Sequence, residues 1–230
     1  MAIHIIFPQD PTTAFLRPVV EQAIRAGATQ DQVVLYELEP NDDSHSVCKE
    51  ALRNIAEGST IVFLGHGSST SLSGAKGAGY HMREFITSND RHLFNGKIVV
   101  LFSCRSNDFI KRLDNNFISA IGFGDMPTDW EEIMSAREFE IGSYLGITED
   151  LIVTFREALI RIFSTSLVQS IRESKTAGEL SLLIKLLLNK ELTNASYEAR
   201  KTGNYALCDL LYEMKHEKVI EGNNSEMRIT

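Results

Sequence analysis

The sequence predicts an α/β fold in which a mainly parallel sheet lies between helices, with additional helices towards the C-terminal end. Over the first two-thirds of the 230 residues, short apolar runs alternate with amphipathic stretches. This alternation of strand and helix is typical of a parallel sheet sandwiched between helices. The last third changes character, because its apolar residues recur at helical spacing over long stretches.

Five short apolar runs are predicted to be strands. They cover residues 3–7, 33–38, 59–64, 97–102 and 118–123. The third and fourth runs are continuously apolar over several residues, and this pattern suits strands that are covered on both faces.

Three helices are predicted in the same region. They cover about residues 13–26, 46–56 and 107–117. The apolar residues of the second helix recur at helical spacing, so one of its faces is expected to be buried. These residues are Val47, Ala51, Leu52 and Ile55.

A long helix is predicted from Leu151 onward, where apolar residues keep helical spacing for about six turns. Thr148 is a suitable N-cap, and acidic residues follow it in the first turn. Two further helices are predicted over residues 180–192 and 197–214.

The predicted organisation has three parts. Residues 1–147 form an α/β core, and residues 148–215 form helices that complete or extend the same domain. Residues 216–230 form a polar tail that is expected to fray.

Composition excludes several classes of protein. The formal net charge is −8. This charge argues against a general nucleic-acid binder and against a protein drawn to anionic membranes, because both need a basic surface. The three cysteines stand at long spacings, so no disulfide scaffold, zinc module or other metal site is indicated. The sequence shows neither a signal peptide nor a long apolar stretch, which favours a cytoplasmic protein. No metal or organic cofactor is predicted.

Two predicted strands end in residues that carry chemistry. The third runs directly into Gly65-His66-Gly67, and the fourth runs into Ser103-Cys104. Ligands bind beyond the carboxyl ends of parallel strands, so His66 and Cys104 meet at one edge if the two strands are neighbours. A nucleophilic cysteine needs an adjacent base, which His66 would supply. The N–H groups of Gly67 and Cys104 would then form an oxyanion hole.

These two segments carry a family resemblance. The sequence Val62-Phe63-Leu64-Gly65-His66-Gly67, followed by Val99-Val100-Leu101-Phe102-Ser103-Cys104-Arg105-Ser106, resembles the caspase-like cysteine proteases. Within that family it looks most similar to the prokaryotic caspase-like and CHAT-type branch, which is related to metacaspases and separase. The resemblance implies a three-layer caspase-like fold. It departs from the metacaspase pattern because Phe102-Ser103, and not an acidic residue, precedes the cysteine.

The resemblance also implies roles. His66 would be the general acid and base, Cys104 the nucleophile, and Gly67 with Cys104 the oxyanion donors of a cysteine endopeptidase. Its substrate would be a protein or peptide. It would act in regulated proteolysis within a prokaryotic defence or cell-death pathway, with a separately encoded activating partner.

Three acidic residues are candidates for substrate binding. Asp125 and Asp129 lie in the segment over residues 122–132, where such folds build a wall of the substrate pocket, and Asp10 follows the first strand. Each could select a basic side chain, or could be an acid of an exposed turn.

Two other functions stay open. One is a catalytically silent interaction module that keeps the caspase-like fold. The other is a nucleotide-binding α/β protein, since residues 65–79 are rich in glycine and serine. That segment contains neither GxxxxGK[ST] nor GxGxxG. Cys48 and Cys208 fall on predicted helices and are interpreted as packing residues.

Overall fold

Six strands form one sheet in the computed structural model, which describes residues 2–28, 32–140, 142, 144–222 and 224–229. The strands are β1 (Ile3–Pro8), β2 (Val33–Leu38), β3 (Thr60–Leu64), β6 (Ile98–Phe102), β7 (Ser119–Gly122) and β8 (Val219–Gly222). A separate antiparallel hairpin is formed by β4 (Ser71–Ser73) and β5 (Glu84–Thr87).

The order of the strands in the sheet is β2-β1-β3-β6-β7-β8, and every pairing is parallel except that of β7 with β8. The five predicted strands are confirmed, with ends that agree to within one or two residues. The predicted α/β class with a mainly parallel sheet is also confirmed. Because β3 and β6 are neighbours, the condition for bringing His66 and Cys104 to one edge is met.

Helices cover both faces of this sheet. The α-helices are α1 (Arg17–Gly27), α2 (Asp42–Arg53), α3 (Ser106–Lys111), α4 (Trp130–Phe139), α5 (Glu149–Glu173), α6 (Ala177–Thr202) and α7 (Ala206–Glu217). Short 3₁₀ helices lie at Ala14–Leu16 and Ser88–Phe94.

The sheet separates two hydrophobic cores, because successive strand residues point to opposite faces. On one face, Leu64 and Phe102 pack with residues of α1, α5, α6 and α7. On the other face, Phe63 and Leu101 pack with residues of α2, α3 and the hairpin. All residues of β3 and β6 are buried, as their continuous apolar runs predicted. The C-terminal helices therefore share a core with the sheet.

The predicted boundaries of α2 are wrong. The helix begins at Asp42, because the side chain of Asn41 accepts the backbone N–H of Ser44 and caps it. The predicted buried face is confirmed for Leu52 and Ile55, but Val47 is 69% exposed. Cys48, one residue along, is buried in place of Val47.

The predicted length of α3 is also wrong. It ends at Lys111, because Asp114 and Asn115 adopt left-handed backbone conformations with φ of 50° and 57°, which a helix cannot contain.

The C-terminal helices break at a different place from the one predicted. The helix predicted over residues 197–214 is interrupted, since α6 ends at Thr202, Gly203 adopts φ of 76°, and α7 begins at Ala206. The predicted cap is confirmed, since Thr148 Oγ1 accepts the N–H of Leu151. The predicted break after residue 192 does not occur, because Ala195 and Ala199 continue the buried face of α6. Among the helices in the described part of the chain, none is long and apolar enough to cross a bilayer.

The tail does not fray where the structure describes it. Its strand β8 pairs with β7, which would otherwise be an exposed edge of the sheet. Ile229 is buried, and the N–H of Ala177 donates to the carbonyl of Met227. The prediction failed because these contacts use backbone groups, which polar residues offer as well as apolar ones.

His45 fastens a segment that crosses the sheet edge, which we call the strap (residues 74–80). Its Nε2 accepts the N–H of Ala75 at 3.1 Å, and its Nδ1 lies 3.1 Å from the hydroxyl of Tyr80. The strap also reaches the end of β1, where the N–H of Lys76 donates to the carbonyl of Gln9. Because Nε2 must be an acceptor, this arrangement requires neutral His45.

Replacing Phe163 by alanine tests how α5 is held on the sheet. The ring of Phe163 stacks on Phe102 with centroids 3.9 Å apart, and both rings contact Phe123. We expect Phe163→Ala to lower the free energy of unfolding by about 3–5 kcal/mol in urea titrations. Leu182→Ala, at a 57% exposed position of α6, should cost about 0.5 kcal/mol or less. Equal losses in the two variants would contradict this packing.

The strap gives a pH-dependent contribution to stability. Burial lowers the pKa of His45 in the folded protein. As the pH falls through 6.5, the ordinary pKa of this side chain, unfolded chains therefore take up a proton that folded ones resist. We expect unfolding titrations between pH 7 and pH 5 to show a larger loss of stability for the wild type than for His45→Gln. Parallel curves for the two proteins would rule out this contribution.

Candidate active site

His66 lies at the point where the strand order reverses, and Cys104 follows the next strand. The chain places β2 on one side of β1 and β3 on the other, so the crevice between the ends of β1 and β3 is the switch point, which is the usual ligand site of open parallel sheets. Leu64 of β3 is opposite Phe102 of β6. His66 and Cys104 each follow two residues later, so they leave neighbouring strands at the same level.

A sharp turn presents Cys104 between β6 and α3. Arg105 has φ of 52°, a left-handed conformation that is uncommon for residues other than glycine. The buried hydroxyl of Ser106 stabilises this turn, since its Oγ lies 2.8 Å from the carbonyl of Ser103 and accepts the N–H of Phe123. The backbone conformation at Cys104 is thus fixed by hydrogen bonds of the residues before and after it.

The thiol of Cys104 is bound by the backbone of Met126. It donates to the carbonyl oxygen at 3.0 Å and accepts the N–H at 3.2 Å. Burial raises the pKa of Cys104 to about 12, and the hydrogen bond from Met126 opposes only part of this rise. The thiol is therefore protonated at neutral pH in this conformation.

Gly67 fits closely against the cysteine turn. A Cβ at this position would lie 2.8 Å from Ser103 Oγ and 3.0 Å from the carbonyl oxygen of Cys104, so glycine alone fits without a shift. Gly67 is opposite Leu72 in an antiparallel bridge. The hydrogen bonds of this bridge are made by the neighbouring residues, since the N–H of Ser68 donates to Ser71 and the N–H of Ser73 donates to His66. Its own N–H takes no part in that pair of hydrogen bonds.

One small cavity is lined by both reactive residues. Its volume is about 20 Å³, enough for one water molecule but not for a substrate side chain. Its polar lining comes from His66, Ser103, Cys104, Thr13 and Thr128, and Phe102 and Phe163 are among its apolar lining. Substrate binding would therefore need this site to open.

His66 has its own set of partners. Its Nε2 lies 2.6 Å from Thr12 Oγ1 and 3.9 Å from Asp10 Oδ2. Asp10 and Thr12 belong to the turn after β1, and both the N–H and the hydroxyl of Thr12 donate to Asp10 Oδ1. Asp10, which was predicted as a substrate-binding residue, is thus directed at His66 and is only 5% exposed.

The other two acidic candidates have different surroundings. Asp129 caps α4, since its Oδ1 accepts the N–H groups of Glu131 and Glu132. Asp125 is exposed and lies 3.6 Å from the guanidinium of Arg105. A role in substrate binding stays a prediction for both, although the carboxylate of Asp129 is already engaged.

Sequence reasoning missed three residues around this site. Thr12 follows Asp10-Pro11, and an aspartate that begins a turn directly after a strand is a readable signal for it. Met126 contacts Cys104 through its backbone, so its side-chain type gives no signal. Glu132 projects from α4 with its carboxylate among the charges of His66, Asp129 and Asp10, and burial raises its pKa.

Residues 65–79 do not form the kind of loop that binds phosphate at a helix N-terminus. They enter the β4–β5 hairpin and continue into the strap. In the described part of the chain, no group of three or more His, Cys, Asp and Glu side chains is arranged to hold a metal ion.

The segment over Cys104, residues 124–129, is clamped from the C-terminal side; we call it the covering loop. Glu217, at the end of α7, accepts the N–H of Asp125 at 3.1 Å. Its carboxylate lies directly over Gly124, where a Cβ would be 1.6 Å from Oε2. The guanidinium of Arg156 holds the other end through the carbonyl of Thr128. The covering loop therefore keeps Met126 on the thiol.

Removing the clamp should expose the thiol. A hydrogen bond to a charged acceptor contributes about 1.5 kcal/mol, so Glu217→Ala should raise the open population about tenfold. We expect the rate of Cys104 alkylation by iodoacetamide at pH 8 to rise to the same extent, measured by peptide mass spectrometry. In the wild type, Cys104 should react as slowly as Cys48, whose pKa burial also raises to about 12.

Glu213→Ala is the matched control for this measurement. It removes the same charge from an exposed position of α7. Equal rates in the two variants would show that the charge, and not the clamp, controls the thiol.

No protein-family model and no curated protein matches this chain. A function for this chain therefore has to be argued from the geometry of this site and from the resemblance carried by its two motifs.

Proposed function

We propose that this chain is a cysteine endopeptidase of the caspase-like type, with Cys104 as nucleophile and His66 as general base. One observation carries the proposal: the two residues follow neighbouring parallel strands at the same level, beside the switch point of the sheet, and line one cavity. A thiol and an imidazole at one strand edge are the groups that acyl transfer to cysteine needs.

The reaction would proceed in two steps. His66 takes the proton of the Cys104 thiol, and the thiolate attacks the carbonyl carbon of the scissile peptide bond. The N–H groups of Gly67 and Cys104 bind the resulting oxyanion. The carbon–nitrogen bond breaks as imidazolium protonates the leaving amine, and a thioester forms. Water, deprotonated by His66, then hydrolyses the thioester to release the carboxylic acid and the thiol.

The conformation described above is a resting state in this proposal. The thiol donates to Met126, and the cavity beside it is too small for a substrate side chain. Catalysis requires the covering loop to leave Cys104. A resting enzyme of this kind suits regulated proteolysis, and the resemblance supports a prokaryotic defence or cell-death pathway with a separately encoded activator.

A catalytically silent interaction module is the second candidate. The observation that favours it is the thiol of Cys104, which is hydrogen-bonded to both backbone groups of Met126 and has its pKa raised to about 12. A thiol held permanently in this way would contribute to packing and would not act as a nucleophile.

Peptide hydrolysis distinguishes these candidates. Fluorogenic peptides that vary the residue before the scissile bond would be tested with wild type and Glu217→Ala, in which the covering loop is released. We expect hydrolysis, stronger in Glu217→Ala, and a fall of kcat/KM by about 10³-fold or more when Cys104→Ala or His66→Ala is added.

Cys208→Ala serves as the matched cysteine control. It removes a buried thiol on α7 and should leave hydrolysis unchanged. Hydrolysis that survives Cys104→Ala would contradict the proposal. Absence of hydrolysis in Glu217→Ala, with Cys104 alkylated no faster than Cys48, would favour the silent module.

A further inference from the structure

The turn after β1 places a hydroxyl and a carboxylate behind the imidazole of His66. Thr12 Oγ1 lies 2.6 Å from His66 Nε2 and 2.7 Å from Asp10 Oδ1. The backbone N–H of Thr12 donates to the same carboxylate oxygen at 2.8 Å. Asp10, Thr12 and His66 therefore form a continuous chain of hydrogen bonds across the switch point of the sheet.

The hydrogens in this chain can be assigned. A threonine hydroxyl has one hydrogen, and an ionised carboxylate can only accept. The hydrogen of Thr12 is therefore directed to Asp10 Oδ1, and Thr12 Oγ1 must accept from His66. It follows that Nε2 of His66 carries the proton, and that Nδ1 of the neutral ring carries the free electron pair.

We propose that Thr12 and Asp10 are positioning residues, which hold His66 in the Nε2–H tautomer so that Nδ1 is the base for Cys104. This inference rests on the proposed function for its catalytic consequence, although the tautomer itself does not depend on it. When Nδ1 takes the thiol proton, the ring becomes a cation whose Nε2–H still has its acceptor. No rotation of the ring is then needed during the reaction.

A second observation supports a role beyond holding the turn. The turn itself needs only Asp10 Oδ1, yet Asp10 Oδ2 is buried, has no hydrogen-bond partner in the described part of the chain, and lies 3.9 Å from His66 Nε2. A buried carboxylate oxygen without a partner is costly unless a charge develops beside it. The imidazolium of His66 is such a charge.

The tautomer can be measured without any substrate. Long-range ¹H–¹⁵N spectra of the full chain, labelled on histidine, distinguish protonated from unprotonated ring nitrogens, and His66→Gln assigns the signal. We expect Nε2–H in the wild type and in Thr12→Ser, which keeps the hydroxyl. Thr12→Val keeps the branched shape but removes the acceptor, so a mixture of tautomers is expected. Thr13→Val, which removes the neighbouring hydroxyl, should leave the tautomer unchanged.

Hydrolysis then tests the catalytic consequence in the Glu217→Ala background. A hydroxyl that only stabilises the turn would affect folding, so thermal unfolding of each variant is recorded alongside. For a positioning role, Thr12→Val should lower kcat by about 10²-fold with little change in KM, and Thr12→Ser should restore kcat.

The possible outcomes separate the two proposals. If Thr12→Val disturbs the tautomer but no variant hydrolyses peptides, the positioning by Thr12 stands and the peptidase proposal fails. If Cys104→Ala abolishes hydrolysis while Thr12→Val keeps both the tautomer and kcat, the peptidase proposal stands and the positioning role is wrong. An Nδ1–H tautomer in the wild type would also overturn the inference.

Discussion

Two neighbouring parallel strands, β3 and β6, bring the reactive side chains together, and the remainder of the site depends on their register. Leu64 is opposite Phe102, and the residue two positions after each of them is His66 in one strand and Cys104 in the other. A shift of one strand by one residue would separate these side chains and move every side chain of that strand to the opposite face of the sheet. The two hydrophobic cores oppose such a shift, because alternate residues of each strand pack in different cores, Val62 and Phe102 in one and Phe63 and Leu101 in the other. The packing of the fold thus fixes the geometry of the site.

The site combines an imidazole that is held in one orientation with a thiol that is already hydrogen-bonded. His66 is oriented by Thr12 and Asp10, while the thiol of Cys104 is bound to Met126. These two sets of contacts come from different parts of the chain, so one can change while the other is kept. The covering loop can therefore control the thiol without disturbing the imidazole.

The sequence predicts the sheet well because apolar runs buried on both faces have few other possible environments. It also predicts that His66 and Cys104 follow successive strands, and the register of β3 with β6 brings these strand ends side by side. Thr12 was missed although Asp10 marks its turn, because its contact with His66 joins residues 54 positions apart. Met126 and β8 were missed because they act through backbone groups, which every residue possesses. Val47 was misplaced because Val47 and Cys48 are each followed one turn later by an apolar residue, so periodicity does not choose between the two stripes.

The clamp on the covering loop has a consequence for the order of folding. Asp125 and Glu217 are 92 residues apart, and the strand that follows Glu217 completes the edge of the sheet. During synthesis, the five parallel strands of the sheet leave the ribosome well before this closing contact can form. Contacts of such large sequence separation are slow to form, because the intervening chain must first lose its freedom. A nascent chain thus passes through a period in which His66 and Cys104 have both been synthesised and the clamp on the covering loop cannot yet form.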